Sequence, residues 1–158
     1  MPTYRTSFPL SGFETGSERV SFENPIASGK KAIMHMPLRT VADQGFSVWK
    51  IRRRTALADH INAQESTAQE QDSAGPSAVC RVFYDVNGTQ LTFNGSVDWE
   101  RLTSHDASDG GDDSEEFVAK YLAPDNAFVV RPGESMTLTM PDGEIDYNVE
   151  MLWEELPE

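Results

Sequence analysis

Apolar and polar residues alternate with a period of two along most of this chain, the pattern of a strand with one buried face. Tyr4, Thr6 and Phe8 alternate with Arg5 and Ser7. Val20 and Phe22 alternate with Arg19, Ser21 and Glu23, and Asn24-Pro25 stops that run. Ala32, Met34, Met36 and Leu38 form one face of a third run. Residues 45–54 form a fourth, with Phe46 and Val48 on one face and Trp49 and Ile51 beside them.

The middle changes character. Residues 55–77 are rich in Ala, Gln, Ser and Glu and hold no Phe, Trp or Tyr. Leu57 and Ile61 have the spacing of one or two helical turns near Thr55. Beyond Ala63 almost nothing would bind such a turn to a core. The segment 55–77 therefore predicts a long exposed loop, of the kind that meets partners.

Cys80, Val82, Tyr84 and Val86 line one strand face, and Leu91, Phe93, Val97 and Trp99 line the next. Asn87-Gly88 between them tolerates the positive φ of a tight turn, so the two runs predict a hairpin. Gly95 predicts a bulge or a close approach of another strand. Residues 104–116 read as an acidic loop. Asp113 and Glu116 have capping-box spacing, and Phe117, Val118, Tyr121 and Leu122 follow at helical spacing, which predicts a short helix over about 114–122. Residues 127–131, the Met136-Leu138-Met140 run and the long run from Ile145 to Trp153 predict a three-strand meander, joined at Pro132-Gly133 and Pro141-Asp142-Gly143.

Nine strand-like runs and one short helix predict an all-β chain, a single domain over residues 1–158. Period-two faces fit an antiparallel β-sandwich of about eight or nine strands. The long crossings at 55–77 and 100–125 favour jelly-roll topology over an up-and-down barrel.

Charge adds a bias. The chain carries 26 Asp and Glu against 13 Lys and Arg, a formal charge of -13. Residues 1–80 hold nine basic and eight acidic side chains, whereas residues 81–158 hold four and eighteen. The near-neutral half is expected to make buried contacts and the acidic half to face solvent. Acidity with few Lys suits concentrated salt, which screens carboxylate repulsion, and equally an ordinary acidic protein. It argues against free nucleic acid as a ligand, since a phosphate backbone demands a basic face. No apolar run is long enough to span a membrane as a helix. The first residues carry no basic-then-apolar leader pattern.

Candidate chemistry is sparse, and no cofactor or catalytic residue is expected. His35, His60 and His105 have no spacing for a shared metal. Ser104-His105-Asp106 holds the residue types of a triad, but sequence neighbours cannot take its three roles. Cys80 reads as a small core residue. Asp106, Asp109, Asp112 and Asp113 are the candidates for a hard cation; the plainer expectation is a solvated acidic loop, because the spacing departs from an EF-hand. Arg52, Arg53 and Arg54, with Trp49, are the candidate interface residues. In so acidic a chain the arginines are expected to pair with carboxylates, either across their own sheet or on a neighbouring subunit. Trp49, Trp99 and Trp153 read as packing residues, with a sugar-stacking platform as the alternative.

The segment FVVRPGESMTLTMPDGEIDYNVEMLWEE, Phe128 to Glu155, resembles the closing strands of small β-sandwich virion proteins. With the acidic, Lys-poor composition, the chain resembles small single-jelly-roll capsid or vertex proteins of icosahedral viruses infecting haloarchaea. That resemblance implies a non-enzymatic virion subunit, assembled in the host cytoplasm. Its implied partners are other virion proteins and copies of itself in a symmetric homo-oligomer. The alternative is a carbohydrate- or cell-surface-binding module.

Overall fold

The computed structural model describes residues 2–10, 18–42, 46–61, 63–70, 74–85, 91–106, 115–119, 128–139 and 147–158. Among them are fourteen strands and no helix. In chain order these are β1 (Thr3–Leu10), β2 (Glu18–Glu23), β3 (Lys30–Ala42), β4 (Phe46–Arg54), β5 (Asp59–His60), β6 (Gln64–Ser66) and β7 (Gln69–Glu70). The remainder are β8 (Arg81–Tyr84), β9 (Leu91–Thr92), β10 (Val97–Asp106), β11 (Glu115–Ala119), β12 (Phe128–Val130), β13 (Ser135–Thr139) and β14 (Tyr147–Pro157).

Two six-stranded sheets carry the fold, and every pairing in them is antiparallel. The first runs β11-β3-β14-β1-β7, with β12 also on β3; the second runs β10-β4-β13-β2-β8-β6. β5 and β9 form a small separate pair. The period-two reading explains which faces meet. Tyr4, Phe8, Val149, Met151 and Trp153 project from the first sheet, and Val20, Phe22, Ile51, Met136 and Leu138 from the second, into one core. Each such buried side chain contributes roughly 2 kcal/mol.

Three aromatic contacts bridge the layers. Phe22 meets Trp153 edge-on at 5.0 Å, Phe8 stacks on Tyr84 at 4.7 Å, and Trp99 tilts against Phe128 at 4.6 Å. Edge-on and offset geometries suit the aromatic quadrupole.

Each strand-like run contains strand residues, but the run from Leu91 to Trp99 is broken into β9 and β10, and the pairing partners differ from expectation. The meander is absent from the described pairings: β12 and β14 lie on β3, whereas β13 lies in the other sheet between β2 and β4. The hairpin also fails as a pair, since β8 joins β2 and β6, β9 joins β5, and β10 joins β4. Its turn, residues 86–90, lies outside the described residues, as does the Pro141-Asp142-Gly143 turn. Alternation shows which face is buried but is blind to which neighbour completes the ladder.

Two further expectations are overturned. Residues 115–119 of the expected helix form β11, hydrogen-bonded along Leu38–Ala42 of β3. An available sheet edge outweighs a marginal helical preference in so short a segment; residues 120–122 lie outside the described ones. The expected loop 55–77 contributes β5, β6 and β7. Its chain leaves the second sheet at β6 and joins the first at β7, closing one side of the sandwich. Hydroxyls hold this strap: Thr6 bonds to Ser66 and donates to the Thr67 carbonyl, and Ser66 donates to Ser7 O. The acidic loop is likewise shorter than expected, because Ser104–Asp106 end β10 and Glu115 begins β11.

Gly95 shows why the close-approach expectation holds. Its φ is +73°, and a Cβ there would lie 2.8 Å from the Ala56 backbone nitrogen and 2.8 Å from Thr55 Oγ1. Gly29 has φ +61° with nothing within 4 Å. Gly29→Ala is therefore expected to cost about 1 kcal/mol for its left-handed backbone, and Gly95→Ala about 3 kcal/mol, because a clash is added. Urea midpoints measure both; equal midpoints would contradict the close approach.

Candidate functional site

The densest chemistry lies on the outer face of the second sheet. Arg52 and Arg54 project from β4, and Thr137 and Ser135 of β13 stand opposite them. β2 lies one strand further, so a side chain on β4 must span about 10 Å to reach it. Small hydroxyl residues on β13 leave room for the long arginines to cross.

Glu18 of β2 receives both. Arg52 Nη1 donates to Glu18 Oε1 at 2.8 Å, and Arg54 grips the same carboxylate through Nε at 2.9 Å and through Nη2. Arg52 Nε also donates to Glu100 of β10 at 2.6 Å. Arg54 Nη1 donates to Gly95 O at 3.0 Å. The Glu18 side chain is only 10% exposed, so little solvent screens these pairs. Burial pulls the Glu18 carboxyl up, but hydrogen bonds from Arg54 and Arg52 outweigh it and hold the group below the usual carboxylate range.

Arg53 points the other way and ties the sheets together. It donates to Asp98 at 3.0 Å and to Val129 O of β12 at 3.0 Å, and its guanidinium lies 5.8 Å from the Phe128 ring centroid. The arginine triplet is thus engaged within its own chain, one of the two pairings its sequence context predicts. Trp49 has no exposed surface and packs in the core, which removes it as a direct contact for a partner.

A second cluster latches residues 55–60 over the same sheet. Ala58 N donates to Glu23 at 3.1 Å, and His60 Nε2 lies 3.5 Å from Glu23 Oε2. The His60 ring stacks on Phe83 at 3.8 Å. Burial raises the Glu23 carboxyl, against the pull of Ser21, His60 and Ala58.

A third polar centre sits inside the sandwich. Glu155 follows Val149, Met151 and Trp153 on the inward face of β14 and is 2% exposed. Its carboxylate accepts Val79 N at 2.9 Å, Cys80 N at 2.8 Å and Trp153 Nε1 at 3.2 Å. Tyr4 donates to Pro76 O nearby at 3.0 Å, and burial, then Glu155 and Glu70, push its phenol up to about 12. These bonds fix residues 76–80 across the end of the core. Burial, then Glu155, drive the Cys80 thiol far above its ordinary range, so it is held as an unreactive thiol.

The remaining candidates scatter. His35 of β3 pairs with Glu154 of β14 at 3.2 Å in the first sheet, whereas His60 pairs with Glu23 of β2 in the second. His105 and Asp106 are residues of β10, placed opposite Ser47 and Phe46. Asp109, Asp112 and Asp113 lie outside the described residues. Among the described residues no group of His, Cys, Asp or Glu is placed to hold a metal. Trp153, like Trp49, is fully buried, so only Trp99 of the three tryptophans keeps exposed surface for a sugar platform. A groove of about 410 Å³ between residues 65–68 and 77–81 is lined largely by small side chains such as Ser66, Ala68, Ser77 and Ala78.

Glu18, Glu23 and Glu155 escaped the sequence reading. Period two places Glu155 on the inward face of its strand, so its signal was present. Glu18 and Glu23 flank an apolar alternation and carry no such mark.

Removing the shared carboxylate takes from Arg54 its ion-pair partner and leaves Arg52 with Glu100 alone across its sheet. Glu18→Gln is expected to cost about 3 kcal/mol, read as a lower urea midpoint. Because the folded chain holds this group below its ordinary value of 4.5, its contribution is complete above that value. The contribution drains as pH falls through the lowered value. The difference between parent and Glu18→Gln stability should therefore shrink with acidification; a pH-independent difference would contradict the network.

Comparison with known proteins gives no match to a family model, to a curated protein or to a solved structure.

Proposed function

We propose that this chain is a non-enzymatic structural subunit of a virion, built as a jelly roll and acting through assembly with copies of itself and other virion proteins. The observation that carries the proposal is the strand order. If β11 and β12 are two pieces of one edge strand, the first sheet has a core of β1, β14, β3 and β11–β12. The second has β2, β13, β4 and β10. Among these strands the chain steps from one sheet to the other at β1–β2, β2–β3, β3–β4, β10–β11 and again at β12–β13–β14. Its last long strand returns between the first and third. Eight strands in that arrangement form a double Greek key, the plan of viral jelly rolls and of some lectins.

The polar inventory supports a structural role over a sugar-binding one. Arg52, Arg53 and Arg54 serve to brace strands, and two of the three tryptophans fill the core. The acidic, Lys-poor composition fits a particle in concentrated salt, where screening relieves a charge of -13.

Sedimentation in molar salt tests the proposal. The expected result is a closed symmetric oligomer, or co-sedimentation with particles; a strict monomer that joins no particle would count against it. Circular dichroism gives a separate check: the thermal midpoint should rise toward molar salt, and full stability in dilute buffer would remove the halophilic support.

A further inference from the structure

The sheets differ in how their edges end. On the first, β7 is two residues long, and the other edge is split into β11 with five and β12 with three. β1, which lies behind β7, carries Pro9, and Ser66 Oγ covers the Ser7 carbonyl. On the second sheet, one edge is β6, with three residues. Short strands, an edge proline and covering hydroxyls are the usual devices against unwanted strand addition.

β10 has none of them. It runs ten residues, VDWERLTSHD, with no Pro, Gly or Lys. It pairs with β4 on one side from Val97 to Asp106, and among the described residues no strand pairs with its other side. The edge is about 33 Å long. Two of its carboxylates are engaged within the sheet: Glu100 is bonded to Arg52 and Asp98 to Arg53. In a chain of net charge -13, these two edge carboxylates are already neutralised from the neighbouring strand.

We propose that β10 pairs antiparallel with β10 of a second copy, joining two second sheets across a two-fold axis. A copy offers an edge of equal length and equal twist, with Asp98 and Glu100 paired in the same way. A two-fold axis perpendicular to the sheet keeps the Arg52–Glu18 face on the same side in both copies, so the outer polar face becomes continuous. The inference rests on β10 and its ion pairs and not on the virion reading: a dimer in dilute buffer tests the edge, whereas particle association tests that reading.

Hydrogen–deuterium exchange over Val97–Asp106, run beside native mass spectrometry across a concentration series, tests the pairing. In a lone sheet edge, alternate amides point away from β4 and exchange fast. The expected result is a species of twice the 17.6 kDa chain mass, with those outward amides slowing in step with its formation. A monomer at every concentration overturns the proposal, and so does a dimer whose β10 amides stay fast. Arg101→Pro and Leu102→Pro give a second reading. Neighbouring amides point in opposite directions, so one of these prolines removes only an outward donor. That variant should keep its circular dichroism and become monomeric; a folded variant that still dimerises also overturns the pairing.

Discussion

The last strand of the chain lies in the middle of a sheet begun by the first. β14 pairs with β1 from Thr3 to Leu10 on one side, and with β3 from Lys30 to Val41 on the other. It also carries Val149, Met151 and Trp153 into the core and Glu155 to the backbone of residues 79 and 80. Until it is in place, β1 lacks its long partner and the core lacks its central tryptophan. Pairing of such distant segments makes formation of the native state slow relative to local-contact folds.

The same interleaving reshapes the charge distribution. Among the described residues, strands from both halves of the sequence alternate within each sheet, which brings basic side chains of one half against carboxylates of the other. Arg5 meets Glu150, Arg52 meets Glu100, and Arg53 meets Asp98. Basic residues from before position 80 thus neutralise carboxylates from after it. Exposed pairs such as Arg81–Glu65 contribute well under 1 kcal/mol each; the partly buried Glu18 network is where charge holds strands together.

Much of the fold was legible in period two, and the reason is physical. Burial of one strand face imprints itself directly on alternate residues, as at Val20 and Phe22 or Met136 and Leu138. Pairing partners leave no such imprint. The Asn87-Gly88 and Pro141-Asp142-Gly143 turns read as hairpins, yet the strands beside them pair elsewhere. β6 and β7 escaped because small hydroxyl residues, not apolar ones, fasten them at Thr6, Ser66 and Thr67. The arginine triplet was legible as a pairing site from charge balance alone. Its acceptor Glu18 was not, since it lies two strands away across β13.

A chain that swaps sheets at its connections and a chain that folds as successive hairpins share the same apolar pattern and differ only in their neighbours. Backbone nuclear Overhauser contacts distinguish them directly. The account predicts cross-strand contacts of Met151 with Thr6, Trp153 with Met34, and Leu138 with both Val20 and Ile51. Contacts joining residues 135–139 directly to residues 147–157 would contradict it.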